Sequence, residues 1–281
     1  MGEREIRGGE LRGFRAELEQ EEREWSTIEK YEREVRAFVS WLGGRAVTRE
    51  AVQEWKRELL GSGVRCETVN GKVSALNKFF SCMGWPEFRI KYLKIQRKLF
   101  RGTERELTKG EYIRLLETAR SLRKTRLALL IETICATGIR VSEVRYITLE
   151  AVHVGRAEIA LKGKIRTILL PGKLCRKLEK YARKQKIASG EIFLTRSGRG
   201  ISRRQIWSEM KGLCGKAGVS PTKVFPHNLR HLFARTFYRA SRDVAQLADV
   251  LGHSSIETTR IYLISTGVEH ARQLERLGLI S

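Results

Sequence analysis

The chain has 281 residues and carries 55 Lys+Arg against 32 Asp+Glu, a formal net charge of +23. A cationic excess of that size points to a polyanionic partner, nucleic acid before an anionic membrane surface. The longest apolar runs, such as Leu127-Ala128-Leu129-Leu130-Ile131, fall far short of the ~20 residues of a membrane span, and five scattered cysteines without CxxC spacing argue against a disulfide framework or structural zinc. The N-terminus is charged and has no signal-peptide core, so the expectation is a cytoplasmic, nucleoid-associated protein with reduced thiols and no membrane contact.

Along the chain, residues 1–24 are mostly polar and read as a first helix or an arm. Ser26-Thr27-Ile28-Glu29 has the form of a capping box and predicts a helix with Tyr31, Val35, Phe38 and Leu42 on one face, stopped by Gly43-Gly44. Thr48 is placed to cap a second helix carrying Val52, Trp55 and Leu59. A third runs from about Glu67 to Met83, with Val69, Val73, Leu76 and Phe80 as its apolar stripe. These predict an N-terminal helical bundle over residues 1–90. A basic linker follows over 91–106, with Lys91, Lys94, Arg97, Lys98 and Arg101.

Residues 107–281 read as a second domain, mainly α with a small β-sheet. Thr108-Lys109-Gly110-Glu111 is another capping box, and an apolar helix spans Leu127 to Ala136 before Gly138. Ala157–Leu161 and Ile165–Leu170 predict a hairpin around Gly163, and Pro171-Gly172 ends it. A helix over Leu174–Arg183 and a short strand Ile192-Phe193-Leu194 follow, and from Ser202 the pattern is helical again, broken at Gly218, Pro226 and Gly252.

The chemistry concentrates near the C-terminus. His227 and Arg230 stand at i and i+3 behind Pro226, which can open a helix, so both project from its first turn on one face. His231 is expected to point elsewhere as a structural or surface histidine. His253 follows Leu251-Gly252 at a helix end, Ser254 or Ser255 can cap the next helix, and Tyr262 comes about two turns later. Arginine suits phosphate because its planar fork gives paired hydrogen bonds, and a phenol of ordinary pKa about 10 needs a base or nearby cations to act as a nucleophile. No carboxylate metal cluster and no Gly-rich phosphate loop occurs in the sequence, which suits chemistry without metal or cofactor.

Ala136-Thr137-Gly138-Ile139-Arg140-Val141-Ser142-Glu143, then His227-x-x-Arg230, then Leu251-Gly252-His253-Ser254-Ser255-x-x-Thr258-Thr259-x-x-Tyr262 closely resemble the tyrosine recombinase (phage-integrase-like) family over about residues 108–265. The helical segment before them resembles the family's SAM-like core-binding domain more weakly. The resemblance implies an α+β catalytic domain behind an N-terminal SAM-like bundle, and a role for each matching position. Arg140 and Arg230 would clamp the scissile phosphate. Tyr262 would attack it to form a 3′-phosphotyrosyl link. His227 would accept or hold the tyrosine proton, and His253 would hydrogen-bond a phosphate oxygen. Lys162, with Lys164 as the alternative in a hairpin tighter than the family's usual turn, would protonate the 5′-hydroxyl. Glu143 would buttress the site.

The implied activity is site-specific strand exchange on double-stranded DNA carrying recombination sites. A type IB topoisomerase and a non-catalytic DNA-binding protein are the alternatives. Base contacts are assigned to Asn70, Lys72, Ser74, Asn77 and Lys78 on the third helix and to Arg203, Arg204 and Gln205. The resemblance further implies a homotetramer in the synaptic complex, with a C-terminal helix over 267–281, bearing Val268, Ala271, Leu274 and Leu277, passed to a neighbouring subunit.

Overall fold

The computed structural model describes residues 4–95, 103–161, 164–253, 255–260 and 262. The chain divides into two compact units, residues 1–97 and 98–281. In the first, α1 (Gly8–Gln20), α2 (Trp25–Leu42), α3 (Arg49–Gly61) and α4 (Cys66–Cys82) enclose a core built from Phe14, Phe38, Trp55, Phe79, Phe80, Trp85 and Phe88. These rings meet mostly edge to face, as at Phe14–Phe79 (5.2 Å between centroids), the arrangement their quadrupoles favour.

Helix α3 is capped as expected, Thr48 Oγ1 accepting the Ala51 N–H at 3.0 Å. Helix α2 is not capped by Ser26. It starts at Trp25, and the Glu24 carbonyl accepts the Thr27 and Ile28 N–H groups at 2.7 and 3.1 Å, which places Ser26 already inside the first turn. At the far end Gly43 supplies the left-handed residue that closes the helix.

The second unit holds α5 (Lys109–Ser121), α6 (Thr125–Thr137), α7 (Leu149–Val154), the antiparallel pair β1 (Arg156–Leu161) and β2 (Lys164–Leu169), α8 (Gly172–Lys184), α9 (Arg203–Lys211), α10 (Cys214–Ala217), α11 (Pro226–Ser241), α12 (Val244–Leu251) and α13 (Ile256–Arg260). The capping box of α5 forms in full: Glu111 N–H donates to Thr108 Oγ1 at 3.1 Å and Thr108 N–H to Glu111 Oε2 at 2.8 Å. The expected strand at 192–194 does not form. Ile192 and Phe193 are buried in the core, and only isolated bridges flank them, at Glu191 and Leu194. Their apolar character is satisfied by packing in a bend rather than by a ladder. Among the described residues no helix is long and apolar enough to cross a membrane.

Candidate active site

Two helix ends build the floor of the site. Helix α6 terminates at Gly138 and α12 at Gly252, both with left-handed backbones (φ +64° and +62°). A helix C-terminus leaves carbonyl oxygens without intrahelical donors and concentrates negative potential. Arg230, on the second turn of α11, is buried between them at 2% exposure. Its Nη1 donates to the Gly138 carbonyl and its Nη2 to the Leu251 carbonyl at 2.8 Å. The cation is thus solvated by helix ends rather than by a carboxylate, which leaves its charge available to an incoming anion.

Helix α11 is held in place from outside. Asn228 Nδ2 donates to the Arg105 and Lys223 carbonyls, each at 2.7 Å, and Arg235 Nη2 to the Leu107 carbonyl at 2.9 Å. Pro226 opens the helix, as its missing N–H and preset φ allow.

Arg140 begins a 3-10 turn over Val141–Tyr146 directly after Gly138 and Ile139. Glu143 in that turn is buried and takes three hydrogen bonds. Its Oε2 accepts the Arg140 backbone N–H at 2.7 Å and Arg166 Nη2 at 3.1 Å, and its Oε1 accepts Arg140 Nη1 at 2.8 Å. Arg166, on β2, also donates through Nη1 to the Leu251 carbonyl, so the hairpin is tied to the end of α12. Burial pushes the Arg166 guanidinium down to about 10, with Glu143 opposing and Arg230 and Arg140 reinforcing the shift. Burial likewise holds Arg230 below its ordinary value, while hydrogen bonding to Tyr262 works the other way. The connected cluster joins three guanidiniums to one carboxylate and so carries an excess of positive charge.

His253 lies just past Gly252, with Nε2 3.0 Å from Arg230 Nη2 and Nδ1 2.8 Å from Thr259 Oγ1. Burial pushes this imidazole down to about 4, helped by Arg230, Arg140, Arg166 and His227, so it is neutral near neutral pH. The Tyr262 ring is buried and lies parallel to that of His253 (centroids 5.7 Å apart, planes 11°). His227 is 6.2 Å from the Tyr262 ring and His231 is 4.4 Å from it. Arg140, His227, Arg230, His253, Thr258 and Tyr262 all line one cleft of about 380 Å³.

The fold therefore brings together Arg140, His227, Arg230, His253 and Tyr262, residues far apart in sequence. Lys162, and the helix expected over 267–281, lie outside the described residues; Lys164 opens β2 opposite Leu161. Among the described residues no His, Cys, Asp and Glu cluster could hold a metal ion.

His231 departs from expectation. It is buried against Tyr262, because i and i+4 from His227 share a helix face. Arg166 was missed as well, although it occupies the inward parity of β2 together with Ile168, an unusual place for an arginine.

Outside the cleft, Arg203 lines a neighbouring depression with Ser142 and Arg145, and Arg204 is exposed beside it on α9. In the N-terminal unit Asn70, Lys72, Asn77 and Lys78 are all paired within the unit. Asn77, buried, pairs both ways with the backbone of Ile90 (2.9 and 3.1 Å), and Asn70 does the same with Leu93 (3.0 and 2.8 Å). Lys72 pairs with Glu34 at 2.5 Å and Lys78 with Glu21. The two asparagines clip the segment after α4 against that helix, and their amides are not presented outward as the sequence reading expects.

Comparison with known proteins places this geometry in context. The family model described as "Phage integrase family" matches residues 105–267, and that described as "Phage integrase, N-terminal SAM-like domain" matches residues 11–85. The tyrosine recombinase XerA of Pyrococcus furiosus is 28% identical, over all of this chain and 98% of its own length. The protein of the same name from Thermococcus kodakarensis is 30% identical over 93% of this chain and 92% of its own. Among solved structures, the Tn1549 transposon integrase in complex with transposon right end DNA shares the fold, with a TM-score of 0.72 at 17% identity over 95% of this chain and 99% of that one.

Proposed function

This chain belongs to the phage integrase family of tyrosine recombinases, and on that premise we propose that Tyr262 is the nucleophile of a site-specific DNA strand exchange. The phenol oxygen attacks the scissile phosphorus, a P–O bond to tyrosine forms, and the bond to the 5′ oxygen breaks. The tyrosine proton passes to His227, and the leaving oxygen takes its proton from Lys162. Arg140 and Arg230 neutralise the non-bridging oxygens, where charge accumulates in the transition state. Because the phosphotyrosine retains the energy of the broken linkage, the 5′ hydroxyl of a second strand reverses the step without ATP.

One observation carries this reading: a buried guanidinium held by two helix C-termini, with a phenol and an imidazole against it in one cationic cleft. The partner is double-stranded DNA with recombination sites, which the relatives' names and the DNA in the Tn1549 integrase complex support. Arg203 and Arg204 contact that DNA, the +23 charge supplies salt-sensitive affinity, and the working assembly is a tetramer on two sites in the cytoplasm.

A suicide substrate nicked beside the scissile phosphate tests the proposal, since the freed fragment diffuses away and traps the adduct. Covalent protein–DNA complex is expected with the wild type and none with Tyr262→Phe. An adduct that survives Tyr262→Phe would overturn the assignment.

A further inference from the structure

Thr259 has no role in the chemistry set out so far, yet it is completely buried and touches the catalytic cluster. Its Oγ1 lies 2.8 Å from Nδ1 of His253. On the opposite side of that ring, Nε2 lies 3.0 Å from Nη2 of Arg230. A guanidinium has donors only. Nε2 must therefore accept, and the ring's one proton resides on Nδ1, where the Thr259 oxygen receives it. A proton on both nitrogens would set an N–H of His253 against an N–H of Arg230.

We propose that Thr259 is a positioning residue for DNA cleavage: its hydroxyl oxygen holds His253 as the Nδ1–H tautomer, with the ring parallel to Tyr262 and Nε2 facing the phosphate-binding edge of Arg230. The inference rests on the reading that Tyr262 attacks DNA. Fixing the tautomer through the other ring nitrogen is a general way to make a histidine present one defined atom. Here the defined atom is a bare nitrogen in a pocket of cations. With no DNA bound, it occupies the Arg230 donor and keeps the guanidinium aligned. A phosphate oxygen that takes over that donor releases Nε2 beside the phosphate. A proton from solvent can then join it there, making the ring a donor to the phosphate oxygen while Nδ1–H stays on Thr259. Without Thr259 the ring is free to rotate and to carry its proton on either nitrogen.

Two variants of the full chain separate this role from simple packing. Thr259→Val keeps the volume and removes the oxygen, and Thr259→Ser keeps the oxygen and removes a methyl group. Long-range ¹H–¹⁵N spectra of histidine-labelled protein report the tautomer directly. The wild type is expected to show His253 with Nδ1 protonated and Nε2 bare, and Thr259→Val to lose that pattern. On the nicked substrate, adduct formation should slow about tenfold in Thr259→Val, the size of one hydrogen bond's net contribution, and recover in Thr259→Ser. DNA affinity should stay unchanged in both. A wild-type spectrum with Nε2 protonated overturns the proposal whatever the variants do. So does a Thr259→Val protein that forms adduct at the wild-type rate. A wild type that shows the Nδ1–H pattern but never forms adduct fails instead on the role of Tyr262, so the two readings fall separately.

Discussion

Glu143 grips Arg140 at both ends: its Oε2 accepts the Arg140 backbone N–H at 2.7 Å, and its Oε1 accepts Nη1 of the same residue at 2.8 Å. With Arg166 on the shared Oε2, this one buried carboxylate orients two of the three guanidiniums of the cluster behind the cleft. Replacing Glu143 by Gln keeps the shape but turns one acceptor into a donor and leaves Arg166 without a counter-charge in the interior. Loss of one partner of a buried pair typically costs about 3–5 kcal/mol. Glu143→Gln is expected to lower stability by about 3 kcal/mol in urea unfolding, whereas a change below about 0.5 kcal/mol, typical of surface sites, would show that the cluster does not organise the fold.

Arg230 depends on its fork, because two of its donors already serve the Gly138 and Leu251 carbonyls. Arg230→Lys keeps the charge and loses that paired geometry. Adduct formation should fall by about 10²–10³, the usual effect of removing one preorganised donor of a transition state. Binding to DNA should change little, since many phosphate contacts share it. A filter-binding titration alongside the nicked-substrate assay separates the two.

Gly252 and Gly155 both have left-handed backbones, but their surroundings differ. A Cβ on Gly155 meets open space, while one on Gly252 runs into the Arg166 side chain. Gly155→Ala should cost only the backbone strain, about 1–2 kcal/mol. Gly252→Ala should cost more and also displace Arg166 from the Leu251 carbonyl, so adduct formation falls with it. Equal unfolding midpoints for the two variants would count against this packing.

His253 adds a pH dependence. Its folded pKa is depressed to about 4 from an ordinary 6.5, so between those values the unfolded chain binds a proton that the folded chain excludes. The contribution to stability is therefore complete above about pH 6.5 and declines as pH falls towards 4. His253→Gln should flatten the thermal unfolding midpoint over that window. An unaltered slope would mean that other groups set the acid limb.

Local signals reached far into this molecule. Periodicity placed α3, α4, α6 and the hairpin, because an apolar stripe and a glycine stop are written in consecutive residues. Thr48 and Thr108 caps were readable for the same reason. Ser26 misled because the capping pattern does not say which of two neighbouring carbonyls starts the helix. The segment 192–194 misled because a short apolar run looks the same whether it joins a ladder or fills a core. Asn70 and Asn77 looked like outward contacts because nothing in α4 announces the irregular segment around Ile90 and Leu93 that claims their amides.

The sequence by itself determined the charge through its composition, and its short motifs carried the family and singled out Arg140, His227, Arg230, His253 and Tyr262, but not His231 or Arg166. Only the tertiary structure decided how they are held. Arg166 meets the Leu251 carbonyl across 85 positions, and Arg140 faces the Gly252 carbonyl across 112. Such contacts depend on where two helices happen to end against a third, and no local pattern encodes that. The same packing buried Arg230, turned His231 inward against Tyr262 and set His253 between Arg230 and Thr259.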